Sequence, residues 1–404
     1  MTKPSSNSHP DRPAALFLTP EAPYPAFGGG AQRIASIMEY VGKRYATDAL
    51  VFRQPGAADP HTAFPPGLIR EVMVIELPTH SKTAFARGSR AVSRMLRGVP
   101  PLVDRFAGFE RDVARLLNGK QYDLGIVEHF WGAPYQRLMA DHCRRLVLDL
   151  HNIESELHRR SSRQGEPFLV SAGHKRFATL ATRMERDLLP RYHEMLATSE
   201  SDAALARLMN PDARIHVMPN AIPFAPQPRV APLELVAFSG NLEYHPNQAA
   251  VRYFRRQIWP VLRERFPSLR WRVIGMHPEA IAADTSGDPR IETTGMVPEA
   301  LPVLAEAKVA VVPLLAGSGT RIKILEAWAA GVPVVSTTIG AEGLGAKDGH
   351  HLLIADSADR FIAAVGELLT LPELHQRIGT CGRAFYESHF TWEAAWDALG
   401  RAGL

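Results

Sequence analysis

The sequence predicts an α/β protein made of two doubly wound, Rossmann-like halves that face each other across a cleft. Three observations carry that expectation. Short apolar runs alternate with longer amphipathic stretches along the chain, the pattern of parallel strands joined by right-handed crossovers. The 404 residues exceed what one ordinary core accommodates. Five prolines, Pro219, Pro223, Pro226, Pro228 and Pro232, interrupt the alternation near its middle and read as a linker.

In the first half, residues 14–19 read as a strand, followed by a proline- and glycine-rich loop over 20–30 and a helical pattern over 31–41. Further strands are expected at 49–52, 72–76, 124–127, 146–150, 195–198 and 215–218. The alternation restarts after the linker with a strand at 235–239, a helix over 246–266, and strands at 271–274, 309–312 and 332–336. Phe390-Thr391-Trp392-Glu393 precede an apolar-periodic helix for which Thr391 is the expected N-cap. The chain therefore divides into 13–222, 233–384 and a terminal helical segment at 385–404.

Two cysteines far apart, Cys143 and Cys381, argue against a disulfide framework and for a reducing compartment. No apolar run approaches the roughly 20 residues a membrane-spanning helix needs. Residues 1–12 are polar and proline-punctuated, a loose tail rather than a secretion signal. A cytoplasmic protein is the expectation. The formal charge of +4 is unevenly spread. Lys82, Arg87, Arg90, Arg94 and Arg97 crowd one stretch, and Arg159, Arg160, Arg163, Lys175, Arg176 and Arg183 another. A solvated helix face accounts for such runs. The sharper reading is a surface for anionic lipid heads or a pyrophosphate-bearing acceptor, with peripheral contact at the inner face of the membrane. Nucleic acid is not expected, because no nucleic-acid-binding motif accompanies the charge.

The most informative stretch is 309–338. It reads as a buried strand, a loop holding Gly317, Ser318, Gly319 and Thr320, a helix closed by Gly331, and a second buried strand. Such a loop delivers backbone N–H groups to a helix N-terminus, an ordinary way of holding phosphate. Arg321, Lys323 and Glu326 follow it. Positions two apart on a helix point roughly 200° away from each other. Arg321 and Lys323 can therefore face one diphosphate only if Arg321 precedes the regular helix. Lys323 and Glu326 share a face, and a plain surface pair is the alternative account. Dinucleotide binding is disfavoured: Gly28-Gly29-Gly30 lacks the Gly-x-Gly-x-x-Gly spacing, and Gly317-Ser318-Gly319 has Ile322 where a third glycine should stand.

Taken in order, several segments resemble the GT-B-fold glycosyltransferases of family 4, retaining transferases that use nucleotide-sugar donors. They are Gly28-Gly29-Gly30, Pro219-Asn220-Ala221-Ile222, Phe238-Ser239-Gly240, Val273-Ile274-Gly275, Gly295-Met296-Val297, the 309–338 unit and Phe390-Thr391-Trp392. The resemblance implies a GT-B architecture whose last segment crosses back onto the first domain. It implies a donor site in which Glu326 holds ribose hydroxyls, with Gly29, Gly30, Gly240, Asn241 and residues 317–320 around the donor. The family's other donor-loop glutamate is replaced here by Ser318. The arginine and lysine that many members carry after the first-strand glycine are absent too, since Gly240 is followed by Asn241-Leu242-Glu243-Tyr244-His245-Pro246. Arg321 and Lys323 are expected to substitute. His151 aligns with the family's active-site histidine, and His129 on the neighbouring strand falls nearer the acceptor. Glu128 and Glu154 are not favoured as a hydrolytic carboxylate pair.

The activity so implied is sugar transfer from a UDP- or GDP-sugar to a hydroxyl of a sugar, lipid-linked or other acceptor, with His151, Arg321 and Lys323 as the catalytic groups. Bacterial polysaccharide or glycoconjugate biosynthesis is the setting. No metal or other cofactor is expected, and no Asp-x-Asp occurs in the chain. A nucleotide-sugar epimerase or a phosphorylase of the same fold remains an alternative. So does a noncatalytic nucleotide-sugar-binding protein, which Ser318 keeps open.

Overall fold

Runs rich in Val, Ile, Leu and Phe, flanked by glycine, proline and polar residues, form two separate parallel sheets. A computed structural model describes residues 12–26, 28–79, 83–162, 168–316 and 321–404. The first sheet contains β1 (Ala14–Thr19), β2 (Ala46–Arg53), β3 (Glu71–Glu76), β4 (Tyr122–Glu128), β5 (Cys143–Leu150), β6 (Glu194–Ala197) and β7 (Arg214–Val217). They lie in the order β3-β2-β1-β4-β5-β6-β7. Helices α1 (Gly29–Gly42), α2 (Ala84–Arg97), α3 (Glu154–Ser161) and α4 (Phe168–Leu188) are among its crossovers.

The second sheet contains β8 (Leu233–Ser239), β9 (Arg270–Ile274), β10 (Ile291–Thr293), β11 (Ala307–Val312), β12 (Val334–Ser336) and β13 (Leu353–Ile354), in the order β10-β9-β8-β11-β12-β13. Strand direction of growth reverses between β1 and β4 in one sheet and between β8 and β11 in the other. Those are the switch points where open α/β sheets place ligands.

Two strands escape the sequence pattern. β10 is three residues long and β13 two, too short to show a period. The helix expected over 246–266 is interrupted. It comprises α5 (His245–Tyr253), a π-helical turn at Phe254–Ile258, and α6 (Trp259–Arg265). Pro260 has no N–H to give the carbonyl four residues back, so the backbone widens by one residue there. α7 (Ile322–Ala329) starts one residue after Arg321, whose φ of −86° and ψ of 87° are not helical.

Residues 219–232 hold no regular element beyond a bridge from Ile222 to Thr391. The segment is anchored by α8 (Pro372–His389): Tyr386 donates to Pro223 O at 2.8 Å and Arg383 to Ala225 O at 2.8 Å. The terminal helix begins at its expected N-cap, and residues 385–389 before it complete α8. The Thr391 hydroxyl accepts from Ala394 N at 3.2 Å and starts α9 (Trp392–Arg401). α9 packs on the first sheet's side of the molecule. Trp396 Nε1 donates to Ser36 O at 3.0 Å, its ring lies beneath Lys43, and Leu399 and Leu404 join the core around α1.

Candidate functional site

The C-terminal ends of the two sheets border a common cavity of about 520 Å³. Gly28 to Gly30, His129, His151 and Asn220 line it from the first half. Gly240, Asn247, Gly275, Arg321, Lys323 and Glu326 line it from the second. The halves touch at its edge, where a Cβ on Gly29 would stand 3.3 Å from Ile322 Cγ1.

On the first-half side, α1 opens at the cavity with its first-turn N–H groups, which have no partner within the helix. Glycines at 29 and 30 leave that end uncovered. A Cβ on Gly30 would lie 3.7 Å from His129 Nε2 and 3.9 Å from His151 Nδ1, so both imidazoles approach the same helix terminus.

Behind them lies a buried ionic network. Arg33, on the inward face of α1, donates to Asp149 through Nε at 2.7 Å and Nη2 at 2.5 Å, and through Nη1 to Met218 O at 2.6 Å. His151 Nε2 is 3.0 Å from Glu128 Oε2 and 3.0 Å from Asp149 Oδ2. His129, at φ 66°, stacks on His151 with centroids 3.4 Å apart and on Trp131 at 4.1 Å. Burial opposes the charge on Asp149, yet Arg33 and His151 outweigh it and hold the carboxyl far below its usual range. Burial, then the Asp149 charge, pushes Glu128 up to about 7. Burial and the neighbouring His151 keep His129 well below the ordinary histidine value. Glu128, Asp149 and His151 bring ligand-type atoms within 4.8 Å of one another. Arg33 already occupies both Asp149 oxygens, so the cluster is an ion-pair network.

On the second-half side, β8 and β9 turn out of the sheet at Gly240 and Gly275. Their φ values are 152° and 151°, and a Cβ on Gly275 would fall 1.8 Å from Gly240 O. Only glycine permits that approach. It leaves space at Gly240 for the Lys323 ammonium, which donates to Asn247 Oδ1 at 2.6 Å and lies 4.3 Å from the Phe238 ring centroid. Asn247 Nδ2 in turn donates to Asn241 O at 2.7 Å. The exposed Asn241 side chain accepts from Glu243 N and so shapes the loop. One turn after Lys323, Glu326 accepts from Ser239 Oγ at 3.4 Å. Burial, reinforced by the Arg321 charge, pushes Lys323 down to about 7. Burial pushes Glu326 up to about 7 despite Lys323 nearby. Both groups border the cavity, where an anion beside Lys323 or a hydroxyl donating to Glu326 would stabilise the charged form.

Arg321 is buried at the start of α7, outside the regular helix, so it and Lys323 both border the cavity. Gly317, Ser318, Gly319 and Thr320 lie outside the described residues. Glu154 is buried, accepts from Trp131 Nε1 and does not line the cavity.

Three residues of this arrangement had no place in the sequence argument. Arg33 and Asp149 were detectable as lone charges inside apolar patterns, Ile34-Ala35-Ser36-Ile37 and Leu146-Val147-Leu148-Asp149-Leu150. A buried charge demands a partner. Asn247 left no such mark, since asparagine in the first turn of a helix is unremarkable.

Two family profiles match the chain. The one described as Glycosyltransferase Family 4 covers residues 28–225, and the one described as Glycosyl transferases group 1 covers residues 234–371. No curated protein matches the sequence. Among solved structures, sucrose-phosphate synthase from Thermosynechococcus elongatus aligns at 17% identity over 96% of this chain and 98% of its own, with a TM-score of 0.71. HepE of Anabaena, in complex with UDP and glucose, aligns at 14% identity over 97% and 99%, TM-score 0.66. WaaG, a glycosyltransferase involved in lipopolysaccharide biosynthesis, aligns at 13% over 96% and 100%, TM-score 0.64. Each shares the GT-B arrangement of two parallel sheets with interspersed helices.

Proposed function

The chain belongs to the GT-B glycosyltransferases of group 1 and family 4, and we propose that it moves a sugar from a UDP- or GDP-sugar to an acceptor hydroxyl with retention of anomeric configuration. One observation carries this reading. The Lys323 ammonium is held against Gly240 by a neutral amide, with Glu326 one turn on, opposite the α1 N-terminus and His151.

The chemistry follows from where charge develops. As the bond from the sugar anomeric carbon to the β-phosphate oxygen lengthens, negative charge grows on that phosphate. Lys323, Arg321 and the first-turn amides of α1 oppose it from fixed positions. Glu326 accepts hydrogen bonds from the ribose diol, and charge-assisted bonds are the strong kind. The acceptor oxygen attacks from the face the phosphate leaves, and its proton passes to the departing phosphate. No protein base need stand at that face. Cationic side chains, rather than a bound divalent ion, carry the electrostatic work in this scheme. His151 reaches the donor from the first half, and His129 borders the acceptor side.

The UDP and glucose held by HepE, which resembles this chain, and the UDP-glucose it holds in another complex support a nucleotide-sugar donor. WaaG's part in lipopolysaccharide biosynthesis supports a setting in bacterial surface-polysaccharide or glycoconjugate assembly. A peripheral contact with the inner face of the membrane fits that setting. The surface of α2 supports it: Phe85, Val92 and Leu96 stand 87%, 58% and 84% exposed, and residues 77–103 contain Lys82, Arg87, Arg90, Arg94 and Arg97 but no acidic residue.

The test is calorimetric titration with UDP and GDP, followed by nucleotide release from UDP- and GDP-sugars with and without sugar acceptors. Transfer predicts acceptor-stimulated release that Lys323→Met abolishes. Conversion of the donor without any acceptor would point to an epimerase, and binding without turnover to a noncatalytic protein.

A further inference from the structure

His151 is held by carboxylates from two adjacent strands. Its Nε2 meets Glu128 at the end of β4 and Asp149 on β5, each at 3.0 Å, while its Nδ1 lies on the side of Gly30 and the cavity. Arg33 from α1 clamps Asp149 and also donates to Met218 O and, at 3.3 Å, to Asn220 Oδ1. We propose that Arg33, Asp149 and Glu128 are positioning residues that commit His151 Nε2–H to the two carboxylates and offer Nδ1–H, as an imidazolium, to an anionic oxygen in the cleft.

The charge count favours this. Asp149 and Glu128 bring two negative charges and Arg33 one positive. A neutral His151 would leave one buried negative charge unbalanced, which is costly; a protonated one balances it. Burial works against the imidazolium, but Asp149 and Glu128 outweigh it and raise the His151 pKa. Glu128 Oε1 is buried without a hydrogen-bond partner, so Glu128 competes for the same proton. One proton is thus shared along the Nε2–Oε2 contact. An anion approaching the Nδ1 side draws it onto His151. Two further groups face the ring. His129, stacked on it, is held neutral, so the pair of imidazoles carries a single charge. Glu21, in the loop after β1, feels the His151 charge. It can only add to the pull toward the imidazolium.

What the proton is used for rests on the donor reading above; where it resides does not. The test is a pH titration of the full chain by NMR, following histidine Cε1–H signals assigned with His151→Gln and His129→Gln. The expected result is a His151 midpoint above the ordinary histidine value, with His129 neutral throughout. Glu128→Gln should lower the His151 midpoint by about one unit or more, and UDP should raise it in the unmodified chain. A merely structural role would leave the midpoint where it was. Asp149→Asn should lower it further; should that variant not fold, Glu128→Gln alone decides. A His151 midpoint at or below the ordinary value, or one unmoved by Glu128→Gln, overturns the proposal. UDP that fails to bind while His151 titrates high would sink the donor reading and leave this one standing.

Discussion

Lys323 Nζ and Asn247 Oδ1 meet at 2.6 Å, joining the first turns of α7 and α5 behind Gly240. The partner is an uncharged amide, so the ammonium is placed without being neutralised. Asn247→Ala should weaken UDP binding about tenfold, the scale of one hydrogen bond to a charged group. Asn247→Asp should weaken it more, because the new carboxylate competes with the diphosphate for the same cation. Calorimetric titration measures both. Equal affinity in all three proteins would show that the ammonium is not at the diphosphate.

Protonation around this cation gives a second prediction. Lys323, pushed down to about 7, loses its charge as pH rises through neutrality, whereas a bound diphosphate requires the ammonium. Glu326, pushed up to about 7, must shed its proton to serve a ribose diol. Binding therefore takes up a proton at one residue and releases one at the other. Titrations near neutral pH in buffers of different ionisation enthalpy should show little net exchange in the unmodified chain. Lys323→Met should unmask proton release, and Glu326→Gln should unmask uptake. Identical proton counts in both variants would refute the coupling.

How much of this was legible beforehand differs by residue. The longer strands announced themselves by apolar runs, interrupted only here and there as at Asp48 and Asp149; β10 has a single apolar residue and β13 is too short to show a run. The glycines at 240 and 275 could be read only through the family resemblance, since nothing local shows that Gly275 must clear Gly240 O at a Cβ distance of 1.8 Å. Arg321 and Lys323 came with a stated condition, that Arg321 lie outside the helix, and its backbone is non-helical there. The Arg33–Asp149 pair joins positions 116 residues apart. Sequence showed two charges in apolar surroundings, but pairing them required the β1-β4-β5 order of the sheet.

Glu154 offers a stability test away from the cavity. It is buried, accepts from Trp131 Nε1 and lies near Glu185, and burial pushes it up from 4.5 to about 7. A folded-state value above the unfolded one means the protonated acid favours folding. That contribution is fully present below about pH 4.5 and is lost as pH rises through about 7. Glu154→Gln keeps an acceptor for Trp131 and removes the charge. It should raise stability by roughly 1–3 kcal/mol near pH 8 and change little near pH 5. Thermal melts at the two pH values decide it, and a variant less stable at the higher pH would overturn the assignment.

The exposed face of α2 yields the last prediction. Phe85, Val92 and Leu96 are seven and four residues apart and so share one helix face, while Arg94 and Arg97 turn to Asp104. Apolar side chains facing solvent on a helix whose sequence is net positive suit an anionic bilayer surface, where acyl chains take the apolar stripe. The full chain should sediment with phosphatidylglycerol vesicles, weakly with phosphatidylcholine vesicles, and less as salt rises. Replacing Phe85, Val92 and Leu96 by serine should cut partitioning at least about a hundredfold, since burying even part of each side chain is worth on the order of 1 kcal/mol. UDP affinity should not move, because the face lies outside the cavity lining. Undiminished vesicle binding by the triple variant would remove α2 from the membrane contact.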